Sequence, residues 1–309
     1  MILFQMILVE LPVFATFSRQ NHLFKENLIM NKLTAPFALV LVIFGISNSS
    51  AQNDSGVFQW KKGQVLYYKV EHSTQALESV GDNKTEFKNQ LSLTKKWQVE
   101  DVSKEGLATL SLSLESIKIE TTTPKGDLLK YDSANPKEGT PQLKEQMEKF
   151  IGPKIATIVM DNQGRVRSVK ESNFGSETKY EMELPFGIVV PPGTIEKGAK
   201  WLRPYQITME PPQGTGEKLE STQKYECLEI KGNKATIKLA TELKNPPAAP
   251  ADLLPVLPFI VEGEVTIDLG KGVMVESILK TDKTLKDHQG ENSSYKFLSV
   301  FRETLSEKP

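Results

Sequence analysis

Cysteine is almost missing from this sequence: Cys227 is the only one. A disulfide within one chain is therefore excluded, and the fold must hold by packing. A lipid-anchored bacterial protein also needs a cysteine just behind its leader, and none stands there. Histidine is nearly as scarce. Of the three, only His72 and His288 come after residue 52. Neither has a Cys, His or clustered carboxylate at ligand spacing, and zinc sites draw on about three or four such ligands. No metal and no cofactor are expected, and both histidines read as exposed residues. A surplus of one charge is missing too. Of 38 basic and 39 acidic residues, three and two precede Gln52, leaving 35 and 37. Such balance exerts no pull toward nucleic acid or anionic lipid.

Catalytic signatures are equally thin. No Gly-x-Ser-x-Gly elbow holds a nucleophile beside His72, and no glycine loop cradles a phosphate. Cys227 lies between Glu226 and Glu229, which would raise its pKa, so it reads as a small buried filler. "DNQG" at Asp161–Gly164 lacks the alternating acidic ligands of a calcium loop. It reads as a hairpin turn, as does Asp268–Gly272. Trp60, Trp97 and Trp201 are not interleaved with a basic patch and read as packing residues. The charges are scattered as on a solvated face, so the chain is not expected to be an enzyme.

The one strong localisation signal is "MNKLTAPFALVLVIFGISNSSAQ", starting at Met30. Lys32 supplies the charge, Ala35 to Ile46 the apolar run, and Ser49 and Ala51 the small residues before a cut. A cut between Ala51 and Gln52 is expected. The run is too short to span a bilayer, and nothing after Gln52 offers another span. Residues 1–29 read as an extra leader or a start assigned too early.

Beyond Gln52 the chain alternates. Leu66, Tyr68 and Val70 share one parity. So do Phe87, Leu91, Leu93, Trp97 and Val99, the period of a half-buried strand. After a turn at Ser103–Gly106 come Ala108, Leu110, Leu112 and Leu114. Past Glu115 the apolar parity flips to Ile117 and Ile119, which predicts a bulge near Glu115–Ser116. The second half repeats the order of events. Trp201, Tyr205, Ile207 and Met209 come after Gly198, Tyr225 and Cys227 precede a turn at Lys231–Asn233, and Ala235, Ile237, Leu239 and Leu243 resume the phase. Each half then has an Asn-Pro pair (Asn135-Pro136 and Asn245-Pro246), an apolar segment ending in Phe150 or Phe259, and an Asp/Gly hairpin, "IATIVMDNQGRVRSV" or "GEVTIDLGKGVMVESI". Five features in one order argue for a duplicated unit.

The halves differ in one segment. "TPQLKEQMEKFIG" has Thr140 as a cap, Pro141 in the first turn and Gly152 as a stop. It predicts a helix over 141–151 with Leu143, Met147, Phe150 and Ile151 on one face. Its counterpart "NPPAAPADLLPVLPF" holds five prolines and allows a turn of helix at Ala251–Leu254 at most. "MELPFGIVVPPGTIEKG" joins the halves as an extended, apolar crossover that packs down on the fold. "YKFLSVFRETL" is the last strand.

The organisation expected is a signal at 30–51, a first β-rich repeat over 57–175, a crossover over 176–197 and a second repeat over 198–305. The fold class is mainly β (α+β). Two similar antiparallel curved sheets form a joined sheet, half-barrel or sandwich, with one short helix as a lid. Gly63–Val70, "DNQG", "LPFGIVVPP" and "GAKW" at Gly198 resemble a class of uncharacterised bacterial secreted β-rich proteins with a duplicated unit. That resemblance brings no catalytic residues. The β-plus-lid scheme is also similar, more loosely, to periplasmic lipoprotein carriers, whose curved sheet and helix enclose an apolar cavity. The function expected is that of a secreted or periplasmic non-catalytic binding protein. An apolar small molecule or lipid would sit between sheet and helix, lined by Leu110, Leu112, Leu143, Met147, Phe150, Ile237, Leu239 and Phe259. The alternative is a structural component of the envelope that docks another envelope protein.

Overall fold

The computed structural model describes residues 57–307 apart from 183, 212 and 213. The leader at 1–29, the signal at 30–51 and its cut lie outside the described residues. Alternation becomes strand as expected. The first half forms β1 (Val65–Val80), β2 (Asn83–Val102), β3 (Ala108–Thr122), β4 (Leu128–Asp132), β5 (Lys154–Met160) and β6 (Val166–Ser172). The second forms β7 (Lys200–Met209), β8 (Glu217–Lys231), β9 (Lys234–Leu243), β10 (Glu262–Asp268), β11 (Val273–Lys286) and β12 (Ser294–Ser306). All belong to one antiparallel curved open sheet, ordered β6-β5-β3-β2-β1-β12-β11-β10-β9-β8-β7, with β4 beside β3.

The strand order is the same in both halves. β1-β2-β3-β5-β6 and β7-β8-β9-β10-β11 are each a three-strand meander, an insertion and a closing hairpin. β12 joins them by pairing β11 on one side and β1 on the other. The bulge sits where the parity flips: Thr94 pairs Ser116 and Lys95 pairs Leu114, leaving Glu115 over.

Among the described residues three short α-helices interrupt the strands: α1 (Pro141–Glu148) in the first insertion, α2 (Thr178–Met182) in the crossover, and α3 (Pro250–Leu253) in the second insertion. The insertions cover the concave face. α1 buries Leu143 and Met147. It ends before the 151 expected, and Thr140 makes no side-chain cap. The Thr140 hydroxyl instead accepts from the Lys130 N–H at 3.1 Å, and Ile151 leaves the helix to bridge Leu114 of β3. Bonding to the sheet outweighs a last helical turn. In the second insertion the proline strap takes the place of α1. There α3 continues into a 3-10 run over Leu254–Phe259, so the strap is more helical than the single turn expected. Pro255 stands in the first turn of the run, where its missing N–H has no helical partner to lose.

The crossover is the centre of the core. Phe186, Ile188 and Val190 are fully buried. The Phe186 ring lies 5.4–5.8 Å from those of Phe58, Trp60, Tyr68 and Trp97. Burying an aromatic ring of this kind contributes roughly 1.5–3 kcal/mol before entropy is subtracted. α2 packs against both edge strands, β6 and β7, so the crossover enters through the mouth of the sheet. An N-terminal clasp ties the two halves of the sheet together. The Phe58 N–H donates to Asn162 O, the Gln59 N–H to Gly272 O, and Trp60 Nε1–H to Asp161 O. The clasp therefore holds the corresponding hairpin turn in each half. Both turns are built as expected: Asp161 Oδ1 accepts from Gln163 and Arg165 N–H, and Asp268 Oδ1 from Gly270 and Lys271 N–H.

Candidate functional site

The concave face is oily but not uniformly so. Strand pairing sets which side chains share it. Leu66, Tyr68, Val70, His72, Thr74 and Ala76 of β1 face inward, and their cross-strand partners on β2 and β12 include Lys95, Asn89, Glu303 and Ser299. Alternation thus delivers polar residues to the inside.

A cavity of about 50 Å³ opens at the centre of this face. Its floor is sheet: Lys95 and Trp97 of β2, Leu112 of β3, Gln223 of β8, Ser277 and Leu279 of β11, Phe301 and Glu303 of β12. Its roof is not sheet. Met182, Leu184, Pro185 and Gly187 of the crossover cover one side, and Phe259 and Val261 of the strap cover the other.

Lys95 Nζ and Glu303 Oε1 meet on the floor at 3.0 Å, with side chains only 7% and 4% exposed. Lys95 also lies over the Phe301 ring, 5.6 Å from its centre. At an effective dielectric near 20 the pair attracts by about 5 kcal/mol. Desolvation costs several kcal/mol for each ion. The two roughly cancel, so the pair adds little to stability. Two neighbours on the cavity wall cost more than they return. Trp97 Nε1 and Ser277 Oγ are buried without a hydrogen-bond partner, at roughly 1–3 kcal/mol each. The Thr241 hydroxyl, beside Val261, also lacks a partner, whereas Gln223 and Tyr68 are satisfied. Gln223 Oε1 accepts from Arg203 Nη1 at 2.8 Å and from the Tyr225 hydroxyl at 2.6 Å. The Tyr68 hydroxyl donates to Met274 O at 2.9 Å. Burial, and then the Glu303 carboxylate, push the Tyr68 phenol well above its usual pKa.

The structure corrects the reading of both histidines. His72 and His288 are buried. His72 Nε2 lies 2.7 Å from Ser299 Oγ and 3.4 Å from Thr74 Oγ1, and burial drives its imidazole well below the usual pKa. His288 Nε2 lies 2.8 Å from Glu78 Oε1. The His72–Ser299 pair has the distance of a nucleophile and base, but neither residue lines the cavity. It is polar packing across β1 and β12. Cys227 is the buried filler expected, its thiol pKa raised by burial. Among the described residues no three His, Cys, Asp or Glu side chains gather at metal-binding distance, and no helix is long and apolar enough to cross a membrane.

All eight side chains expected to line a ligand space are buried, and two of them line this cavity. Leu112 and Phe259 line the cavity. Leu110, Ile237 and Leu239 belong to the packed interior, as do Leu143, Met147 and Phe150 at α1. This cavity lies beneath the crossover and strap rather than beneath α1. Sequence reasoning missed Lys95, Trp97, Ser277 and Glu303 as cavity residues. Lys95 carries one signal: it falls on the inward parity of Leu93 and Trp97.

No protein-family model and no curated protein matches the chain. Among solved structures it is similar to DynF from the dynemicin biosynthesis pathway of Micromonospora chersina. The identity is 7%, over 81% of this chain and 83% of that one, with a TM-score of 0.22. A likeness of that size carries no argument.

Proposed function

We propose that the protein is a secreted or periplasmic, non-catalytic binding protein that holds an apolar or lipid-like ligand at the cavity between the sheet and the crossover and strap that cover it. One observation carries this reading. An ion pair and two unpartnered polar atoms are buried in an oily interior, where apolar side chains of similar volume would match or exceed their stability. A fold under selection for stability alone has no use for them; a ligand site has. Export rests on the signal pattern at 30–51.

A cavity of about 50 Å³ is well below the roughly 300–1,000 Å³ of a small-molecule site. The form described is therefore closed, and binding parts the covers. The crossover is the firmer cover, anchored by buried Phe186, Ile188 and Val190 and by Val190 N–H on Gln163 O and Trp201 Nε1–H on Val189 O. The strap is the looser one, held to the sheet through Thr241 N–H on Val261 O and the Thr281 hydroxyl on Ile260 O. A segment with few such bonds opens at low free energy. Mass spectrometry of extracts from the purified protein tests the reading: a bound amphiphile in near-stoichiometric amount is expected, and protein that carries none and takes up none sinks it.

The alternative, an interaction component of the envelope, has one feature in its favour. Leu202 is 65% exposed on the edge strand β7. It expects a partner cross-linked through residues 200–209.

A further inference from the structure

Granted that the cavity is a ligand site, its chemistry selects the head of the ligand. Among the described residues lining it, Lys95 and Glu303 are the only charged ones, and at 3.0 Å they neutralise each other. A ligand carboxylate would compete with Glu303 for Lys95 and leave two negative charges in a medium that screens them poorly. An uncharged head leaves the pair intact.

The wall offers an uncharged head mostly donors. Trp97 Nε1–H is a donor and cannot accept, while the Ser277 hydroxyl can do either. Both atoms are buried and without partners. The crossover covers the Ser277 hydroxyl without bonding it. Gly187 lies over it at φ +70°, and a Cβ at that position would stand 3.3 Å from Ser277 Oγ. Glycine is needed there both for the backbone and for the clearance. The rest of the wall, Leu112, Leu279, Phe259 and Val261, suits methylene groups. The cavity has room for a head of a few heavy atoms, so the tail must lie where the covers part.

We propose that the cavity receives the uncharged carbonyl of an acyl ester or amide, as acceptor for Trp97 Nε1–H and the Ser277 hydroxyl, and discriminates against the matching free carboxylate. The two halves of that statement are separable by titration calorimetry of the purified protein with monolaurin and with dodecanoate. Both are kept below their aggregation thresholds, at about pH 8 where the free acid is ionised. Monolaurin is expected to bind about tenfold or more tightly than dodecanoate. Trp97→Phe and Ser277→Ala are each expected to weaken monolaurin by about three- to tenfold, one neutral hydrogen bond apiece, and to leave dodecanoate within about twofold by the same rule. Circular dichroism confirms the folding of each variant, and Ser277→Ala removes a single atom should Trp97→Phe disturb the core. Equal or tighter binding of dodecanoate overturns the head assignment while leaving the binding site in place. Monolaurin affinity unmoved by both variants overturns it as well. Uptake of neither compound overturns the ligand site itself.

Discussion

Replacing Lys95 alone with methionine removes the ammonium from a pair 3.0 Å apart whose side chains are 7% and 4% exposed. Glu303 then keeps its burial and loses its partner. The loss is not the pair's small net contribution. It is the cost of an uncompensated buried charge, about 3–5 kcal/mol. Glu303→Leu alone strands the ammonium and costs a similar amount. The double variant Lys95→Met/Glu303→Leu leaves no charge behind, so it should return to the parent's stability or exceed it by about 1–4 kcal/mol. Urea unfolding followed by circular dichroism measures all three changes. In a chain of this size each kcal/mol moves Tm by about 2–4 °C. The single variants should melt well below the parent, and the double should not. The cycle then gives a coupling of several kcal/mol, far above the roughly 0.3–0.5 kcal/mol scatter of independent sites. Single changes of less than about 1 kcal/mol that simply add would refute a desolvated, mutually dependent pair, and with it the chemistry assigned to the cavity floor.

Burial holds the His72 imidazole well below the usual 6.5, so the native state stays neutral while the unfolded chain takes up a proton. Stability is therefore full above about pH 6.5 and falls as pH drops toward the native pKa, by up to about 1.4 kcal/mol per unit. His72→Gln should remove that component of the slope in urea midpoints measured between pH 7 and 5; parallel slopes in both proteins would contradict it. Gly272→Ala should destabilise far more than Gly63→Ala. Both have positive φ, but a Cβ at 272 would stand 2.5 Å from Gln59 N, while at 63 nothing lies within 4 Å. The second should cost about 1 kcal/mol, the backbone penalty alone, and thermal melts of equal depth would dismiss the clasp. Phe186→Ala should lose about 3–5 kcal/mol, the cost of an aromatic-sized void, and a change below about 1 kcal/mol would remove the crossover from the centre of the core.

Alternation was enough to place most of the fold. The parity of Leu110 and Leu112 against Ile117 and Ile119 located the bulge at Glu115. The order of events in the two halves foretold matching strand orders, and the apolar "FGIVV" foretold a buried crossover. Polar residues on the inner face were not legible, because period two says which residues share a face and not which face meets water once both carry polar groups. Thr74, Asn89 and His72 therefore hid the inward run of β1 and β2, and the inward parity of Lys95 was masked by adjacent Lys96. Ser277 and Glu303 lie far along the chain from Lys95, and only the closure of β12 onto β1 brings them together. The cavity escaped for a related reason. α1 had the clearest lid pattern, and its Leu143 and Met147 are buried, but the cavity lies beneath the crossover and strap. α2 was too short for any periodicity to show.

Hydrogen exchange with and without monolaurin tests the central claim most directly, since it reports which cover moves. Changed exchange is expected in residues 182–190 of the crossover and 254–261 of the strap, with residues 141–148 of α1 unaffected. Changes confined to 141–148, or none anywhere at saturating ligand, would contradict a site beneath the crossover and strap.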